Sequence, residues 1–285
     1  MPIFFASEVA ALIGRNKYKT KDEAIFRVLS TISKFKPLIE RIKTETGGKT
    51  QREIVEEIPD DVRSLLDSAV STAMSGSTET EIVKTIDTFK KETAKTLLTN
   101  AIEGKSTTAE FKAAAERIQK KETTVEQEMK SLEKSSVVSV IGSEVQKRRG
   151  THMESKAEDD HAETTGKEIT NRNSSTRYEC PEYTIFGYID GMQDGCVVET
   201  KNRKRVWKEP PEYDLIQLRC YMKMKGDIDG LLLERFPNGS TRETKLKWNP
   251  IEWQPIHSAL CSVADEINTM SPERAETIVR IALYK

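Results

Sequence analysis

The sequence predicts an α/β protein: a mixed central β-sheet flanked by helices, interrupted by a large all-helical insertion. Three observations predict it. A strand–turn–strand signature runs from Tyr183 to Lys201, with Asp194-Gly195 separating two runs rich in β-branched and aromatic residues. The elements around it read in the order helix, hairpin, helix, strand, which suits a mixed sheet with helices packed on it. Residues 30–144 carry no strand signal and place apolar residues at helical spacing instead. The core is therefore expected in two pieces, 1–29 and 145–285, around a helical insertion at 30–144.

The first piece opens on a short helix. Ser7 is a candidate N-cap ahead of the apolar face Val9, Leu12, Ile13, and Gly14 ends the turn. A second helix is predicted from Lys21, burying Ala24, Ile25, Val28 and Leu29. In the insertion, Ile82, Ile86, Phe89 and Ala94-Leu97-Leu98-Ala101 have helical spacing. Breaks at Gly47-Gly48, Pro59, Ser75-Gly76-Ser77 and Gly104-Lys105-Ser106 divide it into four or five helices. The last of these breaks echoes a phosphate-binding loop, but position 99 is Thr99 rather than glycine and no strand precedes it.

From Val145 the core resumes. A helix is predicted to open at Gly150-Thr151 and to end before Gly166. After the hairpin, Glu212 to Lys225 reads as a helix on which Gln217 and Tyr221, four apart, share a face. Asp229 to Phe236 is a buried strand, turned by Pro237-Asn238-Gly239 into a second from Thr241 to Lys247. Helices from Trp253 to Thr269 and from Pro272 to Tyr284 close the chain.

Charged residues make up 32 % of the 285 positions, hydrophobic ones 36 % and aromatic ones 6 %. With a net charge of −1, any attraction for nucleic acid must come from local clusters such as Lys147-Arg148-Arg149 or Arg203-Lys204-Arg205. Either cluster, taken alone, also reads as a solvated charged face. Cys180, Cys196, Cys220 and Cys261 form no C-x-x-C pair, and His152, His161 and His257 have no ligand spacing, so a zinc site is not expected. No apolar run reaches membrane-spanning length, and Met1-Pro2-Ile3-Phe4-Phe5 lacks the basic region of a secretory signal. The expectation is an intracellular protein with no membrane partner.

The hairpin holds the candidate chemistry. Side chains alternate along a strand, so Val197, Glu199 and Lys201 share one face and Cys196, Val198 and Thr200 the other. Asp190, at the end of the first strand, would then lie opposite Glu199. Two carboxylates held together repel unless something resolves the repulsion, and hard oxygen ligands suit Mg²⁺ or Mn²⁺. The alternative is an exposed hairpin with a cross-strand charge pair.

Asp190, eight intervening residues, and then Glu199-Thr200-Lys201 resemble the central motif of the PD-(D/E)XK nuclease superfamily, with Ile189 in place of the family's frequent proline. Gln217-Leu218-Arg219-Cys220-Tyr221 is similar to the Gln-xxx-Tyr motif of its RecB-like and phage lambda-exonuclease-like branches. Ala6-Ser7-Glu8-Val9-Ala10-Ala11-Leu12-Ile13-Gly14 with Tyr18-Lys19-Thr20 resembles the start of YqaJ-like viral recombinases of the same group. Gly150-Thr151-His152-Met153-Glu154 matches a G-x-x-x-E of that family.

The resemblance implies a restriction-endonuclease-like core and a Mg²⁺-dependent DNA exonuclease, with Mn²⁺ able to substitute. The resemblance favours 5′→3′ polarity and a place in recombination, replication or repair. Asp190, Glu199, Glu154 and the Thr200 carbonyl would hold the metal, and Lys201 would serve the attacking water or the developing charge. Ser7 would contact a 5′-phosphate, although the family's upstream arginine has no counterpart in this sequence. Gln217 and Tyr221 would face the site or DNA, with Arg203, Lys204 and Arg205 on the backbone. Some relatives carry a four-cysteine iron–sulfur cluster; here all four cysteines follow Glu154, so none is expected. A single-strand annealing or other recombination protein is the implied partner, in a host cytoplasm or nucleus if the chain is viral, and toroidal oligomers occur in the group.

Three residues keep a second reading. Ser7 could simply cap its helix. Thr151-x-x-Glu154 is also a capping box, and Tyr221 could be a core aromatic. At the level of function, a DNA-binding recombination mediator that retains the nuclease fold, an endonuclease of the same superfamily, and a helical interaction module are the alternatives.

Overall fold

A computed structural model describes residues 1–76, 78–105, 107–203, 206–236 and 238–283. Two compact units divide the chain: one comprises residues 1–48 and 154–285, the other 49–153.

The first unit begins with β1 (Ile3–Phe5), a 3-10 turn over Ala6–Glu8, α1 (Val9–Leu12), α2 (Lys21–Leu29) and α3 (Lys36–Thr46). The α2 helix starts where Thr20 accepts from the Glu23 N–H while Glu23 reaches back to Thr20, a reciprocal cap that satisfies two orphan donors. It buries Ala24, Ile25, Val28 and Leu29, as its periodicity predicts. The boundary differs from the expected one. In α3, Ile39 and Ile42 are buried in the same apolar cluster as α2, Ile278 and Val279, so residues 30–48 belong to the core.

The second unit is helical among its described residues: α4 (Gln51–Glu56), α5 (Asp60–Ser75), α6 (Glu79–Ile102), α7 (Ala109–Gln119), α8 (Val125–Leu132) and the first part of α9 (Ser136–Thr165). It has its own apolar centre, including Leu66, Phe89, Leu98, Phe111 and Ile141. The division between units falls within α9.

The remainder supplies β2 (Ser174–Glu179), β3 (Thr184–Ile189), β4 (Gly191–Gln193), β5 (Cys196–Asn202), α10 (Glu212–Met224), β6 (Gly230–Arg235), β7 (Thr241–Leu246), α11 (Pro250–Asn268) and α12 (Pro272–Leu283). These form a mixed α/β fold, but the sheet is in two parts. One has the order β1-β3-β2, with β1 parallel and β2 antiparallel to β3. The other runs β4-β5-β6-β7, with only β5 and β6 parallel.

The expected hairpin is real but shorter than its sequence suggests. Asp194 and Gly195 take positive φ of 49° and 81°, the twist a two-residue hairpin turn requires. Only β4 pairs with β5, however. The first strand breaks at Asp190, and β3 pairs in the other sheet. The parallel β5–β6 pair is covered on both faces: Val197 and Leu232 enter the main core, whereas Val198, Leu231 and Leu233 pack with Ile169. Among the described residues no helix is long and apolar enough to cross a membrane.

Candidate active site

Asp190 occupies the one-residue junction between the two sheets, where the chain leaves β3 and enters β4. Its side chain is anchored by the opposite strand: Asp190 Oδ2 accepts from the Thr200 N–H at 2.6 Å. The register pairs Gly191 with Val198, which carries Asp190 opposite Glu199 as predicted. Glu199 is 1 % exposed. Its Oε1 is ion-paired with Lys201 Nζ, and its Oε2 is buried without a hydrogen-bond partner. A buried carboxylate oxygen left in that state costs free energy unless a proton or a cation reaches it.

Two further acids come from α9. Glu154 and Glu158 are one helical turn apart and share a face. Burial pushes Glu154 up to about 7, with Asp190, Glu158 and Asp214 adding to the rise and Lys201 opposing it. Glu158 is likewise pushed to about 7 by burial and by Asp190, against the pull of Arg172, which lies 3.2 Å away. Glu199 rises to about 8 through burial and the Asp190 charge, even with Lys201 beside it. Asp190 rises for the same first reason, burial. Burial acts to discharge Lys201, but Glu199, Asp190, Asp214 and Glu154 outweigh it and hold the ammonium charged. Glu154, Asp190 and Glu199, largely shielded from water, thus share one cation, Lys201, while Glu158 has Arg172.

The structure corrects several expectations. Thr151 cannot begin a capping box with Glu154, because α9 is continuous from Ser136 and the Thr151 hydroxyl instead donates to the Lys147 carbonyl at 3.3 Å. Glu154 is therefore a mid-helix side chain turned toward the other acids. Ser7 caps nothing: it lies exposed within the 3-10 turn, whose N-cap is Phe5, while Glu8 precedes α1. Arg203 is not an exposed DNA contact. It is 9 % exposed, with Nη1 at 2.7 Å from Asp214 and Nη2 at 2.6 Å from Glu234. Lys204 and Arg205 lie outside the described residues.

Gln217 and Tyr221 do face each other, with Gln217 Nε2 donating to the Tyr221 hydroxyl at 3.3 Å. Tyr221 is both core and site. It is 4 % exposed, and burial followed by the Glu199 charge raises its phenol. Its ring approaches β3 closely at Gly187, where an added Cβ would stand 2.8 Å from the ring and 3.1 Å from Ala6 Cβ. That glycine leaves room for the tyrosine to reach the carboxylates. Of the histidines, His161 is buried against Gln193 at 2.7 Å and His257 bonds the Tyr183 hydroxyl at 2.6 Å.

Sequence reasoning missed Glu158. Its signal is the i, i+4 spacing from Glu154, legible once Glu154 is placed mid-helix. It also missed Asp214 and Glu234, which hold Arg203.

The donors present are hard oxygens, suited to Mg²⁺ or Mn²⁺, and the unpartnered Glu199 Oε2 is a free ligand atom. Among the described residues no three His, Cys, Asp or Glu side chains are already arranged around one metal position. The carboxylates fit such an ion by chemistry and charge, with Glu199 turned for now toward Lys201.

No family model matches the chain, and no curated protein matches it. Among solved structures, it is similar to an alkaline exonuclease, LHK-Exo, from Laribacter hongkongensis, over 47 % of this chain and 73 % of that one, at 17 % identity and a TM-score of 0.37. LHK-Exo in complex with dAMP is similar at 16 % identity and a TM-score of 0.36, over 47 % and 72 % of the two chains. A further structure, SSO0001, covers 55 % of this chain and 70 % of its own, at 16 % identity and a TM-score of 0.33.

Proposed function

We propose that the protein is a metal-dependent DNA nuclease, an exonuclease of the lambda/YqaJ type that hydrolyses phosphodiester bonds from a DNA end in recombination, replication or repair. One observation carries the reading: Glu154 from a helix, Asp190 from the junction of two strands and Glu199 from a third gather with Lys201 into a buried, under-compensated acid cluster. The D…ExK and Gln-xxx-Tyr motifs in that order support it.

A divalent ion, when bound, would supply Lewis-acid polarisation of the scissile phosphate and a water of lowered pKa. Asp190, Glu199, Glu154 and the Thr200 carbonyl would hold it, with Glu158 within range of Asp190. The chain's own residues do the rest. The Thr200 N–H fixes Asp190 in its rotamer. Lys201, ion-paired with Glu199 beside Asp190, would hold the attacking water or neutralise charge on the phosphate. Tyr221, buried and within range of the Glu199 charge, would add to the low-dielectric surroundings of that carboxylate.

The test uses linear duplex DNA labelled at the 5′ or the 3′ end, with Mg²⁺. Mononucleotide release from the 5′ side, abolished in Glu199→Ala, is expected. Internal fragments in place of mononucleotides would make the protein an endonuclease, and intact DNA would sink the reading.

A further inference from the structure

A group of aromatic rings with one lysine stands beside the carboxylate site and has no part in the chemistry above. Two distant parts of the chain supply it: Tyr18 from the loop between α1 and α2, and, six residues apart, Trp207 from the stretch after β5 and Tyr213 from the first turn of α10. Tyr18 and Tyr213 meet edge to face, with centroids 5.9 Å apart at 81°. Lys17 Nζ stands 5.2 Å from the Tyr18 ring and 5.1 Å from the Trp207 ring. Tyr18 is 64 % exposed, whereas Trp207 and Tyr213 are half-buried, with Tyr213 packed against the main core on its inner side, so the three rings present one open ring backed by two anchored ones.

The segments that carry these rings are tied to the fold by hydrogen bonds and ion pairs. Arg242 Nη1 donates to the Trp207 and Lys208 carbonyls, both at 2.9 Å, while its other nitrogens grip Glu234. Arg15 and Glu212, 2.5 Å apart, tie the Tyr18 loop to the start of α10. A surface fixed in this way pays little ordering entropy on binding.

The location follows from Tyr213. It precedes Asp214, which meets Arg203 at 2.7 Å, and its phenol lies within range of the Asp214, Arg203 and Lys201 charges. The rings therefore stand at the edge of the carboxylate site on its α10 side.

We infer that Tyr18, Trp207 and Tyr213, with Lys17, form a stacking platform for the bases of a single DNA strand whose phosphodiester lies at the carboxylates. The inference rests on the nuclease reading and adds to it how the strand is held. Every base offers a π-face, so stacking on exposed rings grips a strand without selecting sequence, and a neighbouring cation meets its phosphates. A nuclease that must advance along any sequence needs a grip of this kind rather than base-edge readout.

The experiment measures binding of a labelled single-stranded oligodeoxynucleotide and of the same backbone with abasic sites, with Ca²⁺ replacing Mg²⁺ to hold the strand uncut. The unaltered protein should prefer the base-bearing strand by about tenfold, the order stacking supplies. Tyr18→Ala should remove most of that preference, Tyr18→Phe should keep it, and Trp207→Ala should lower it independently. Equal binding of the two strands, or a preference untouched by both alanine variants, overturns the platform. No binding of either strand also overturns it and leaves the rings to a protein partner. Base-dependent binding without Mg²⁺-dependent cleavage would keep the platform and remove the nuclease reading. Cleavage of both strands at equal KM would do the reverse.

Discussion

Two buried charge clusters lie within a few residues of each other along β5, and they are built on opposite terms. At the end of the strand, Arg203 and Arg242 face Asp214 and Glu234: two cations against two anions. Glu234, fully buried, is held by Arg203 Nε at 2.7 Å and Arg242 Nε at 2.6 Å. Two residues earlier, Glu154, Asp190 and Glu199 face Lys201, and Glu158, within range of Asp190, has Arg172. The first cluster is balanced and ties β5, β6, β7 and α10 together. The second is short of positive charge and spends that shortage on raised proton affinity. Burial alone does not mark a functional site; burial with unresolved charge does.

Breaking the balanced cluster should have the largest effect on stability. Glu234→Ala leaves the buried Arg203 with Asp214 alone and takes the carboxylate partner from the half-buried Arg242, and a loss of about 3 kcal/mol is expected. Chemical denaturation checks it. Glu199→Gln, in contrast, removes repulsion and should leave the metal-free protein as stable as before or more so. A large loss in Glu199→Gln would place both clusters in the same structural class.

The next effect is a pH dependence, and its sign follows from the raised carboxyls. Glu154 and Glu158 at about 7 and Glu199 at about 8 bind protons in the folded state that the unfolded chain, at about 4.3, has already lost. Their contribution is fully present below the unfolded value and is lost as pH rises through about 7 to 8. With chelator present, the melting temperature should therefore fall between pH 5 and 8.5, and Glu199→Gln should flatten that slope. A wild-type curve indistinguishable from the Glu199→Gln curve would mean that the acids are not coupled as described.

The smallest effect concerns the DNA end. Duplex bearing a 5′-phosphate should be degraded faster than duplex bearing a 5′-hydroxyl, and Ser7→Ala should narrow the gap severalfold without changing stability, since Ser7 is exposed and caps nothing. Equal initial rates on the two substrates would remove Ser7 from the site.

What the sequence made legible was local. The Asp194-Gly195 turn, the alternation along β5, the strands β6 and β7, and the buried face of α2 all follow from neighbours in the chain. The register that sets Asp190 against Glu199 follows from the turn. What it hid was decided at a distance. Ile3–Phe5 and Ser174–Glu179 are short outer strands with no apolar alternation to announce them, and only pairing with β3 makes them strands. The break at Asp190 divides one apparent strand between two sheets. Thr151 reads as a helix start until α9 proves continuous through it, which also conceals Glu158 as a partner of Glu154. Arg203 looks exposed in a basic run, because Asp214 and Glu234 reach it only through the fold.

The most direct measurement is a calorimetric titration with Mn²⁺, run beside a cleavage assay, on the unaltered protein, Glu199→Ala and Lys201→Ala. Lys201→Ala should lose cleavage by about 10²-fold or more, as a positioned catalytic group does. It should still bind Mn²⁺, and more tightly, because the competing ammonium on Glu199 is gone. Glu199→Ala should lose both binding and cleavage. Full activity in pure Glu199→Ala, or loss of Mn²⁺ binding in Lys201→Ala alone, would contradict the assignment of this cluster as a metal-dependent nuclease site.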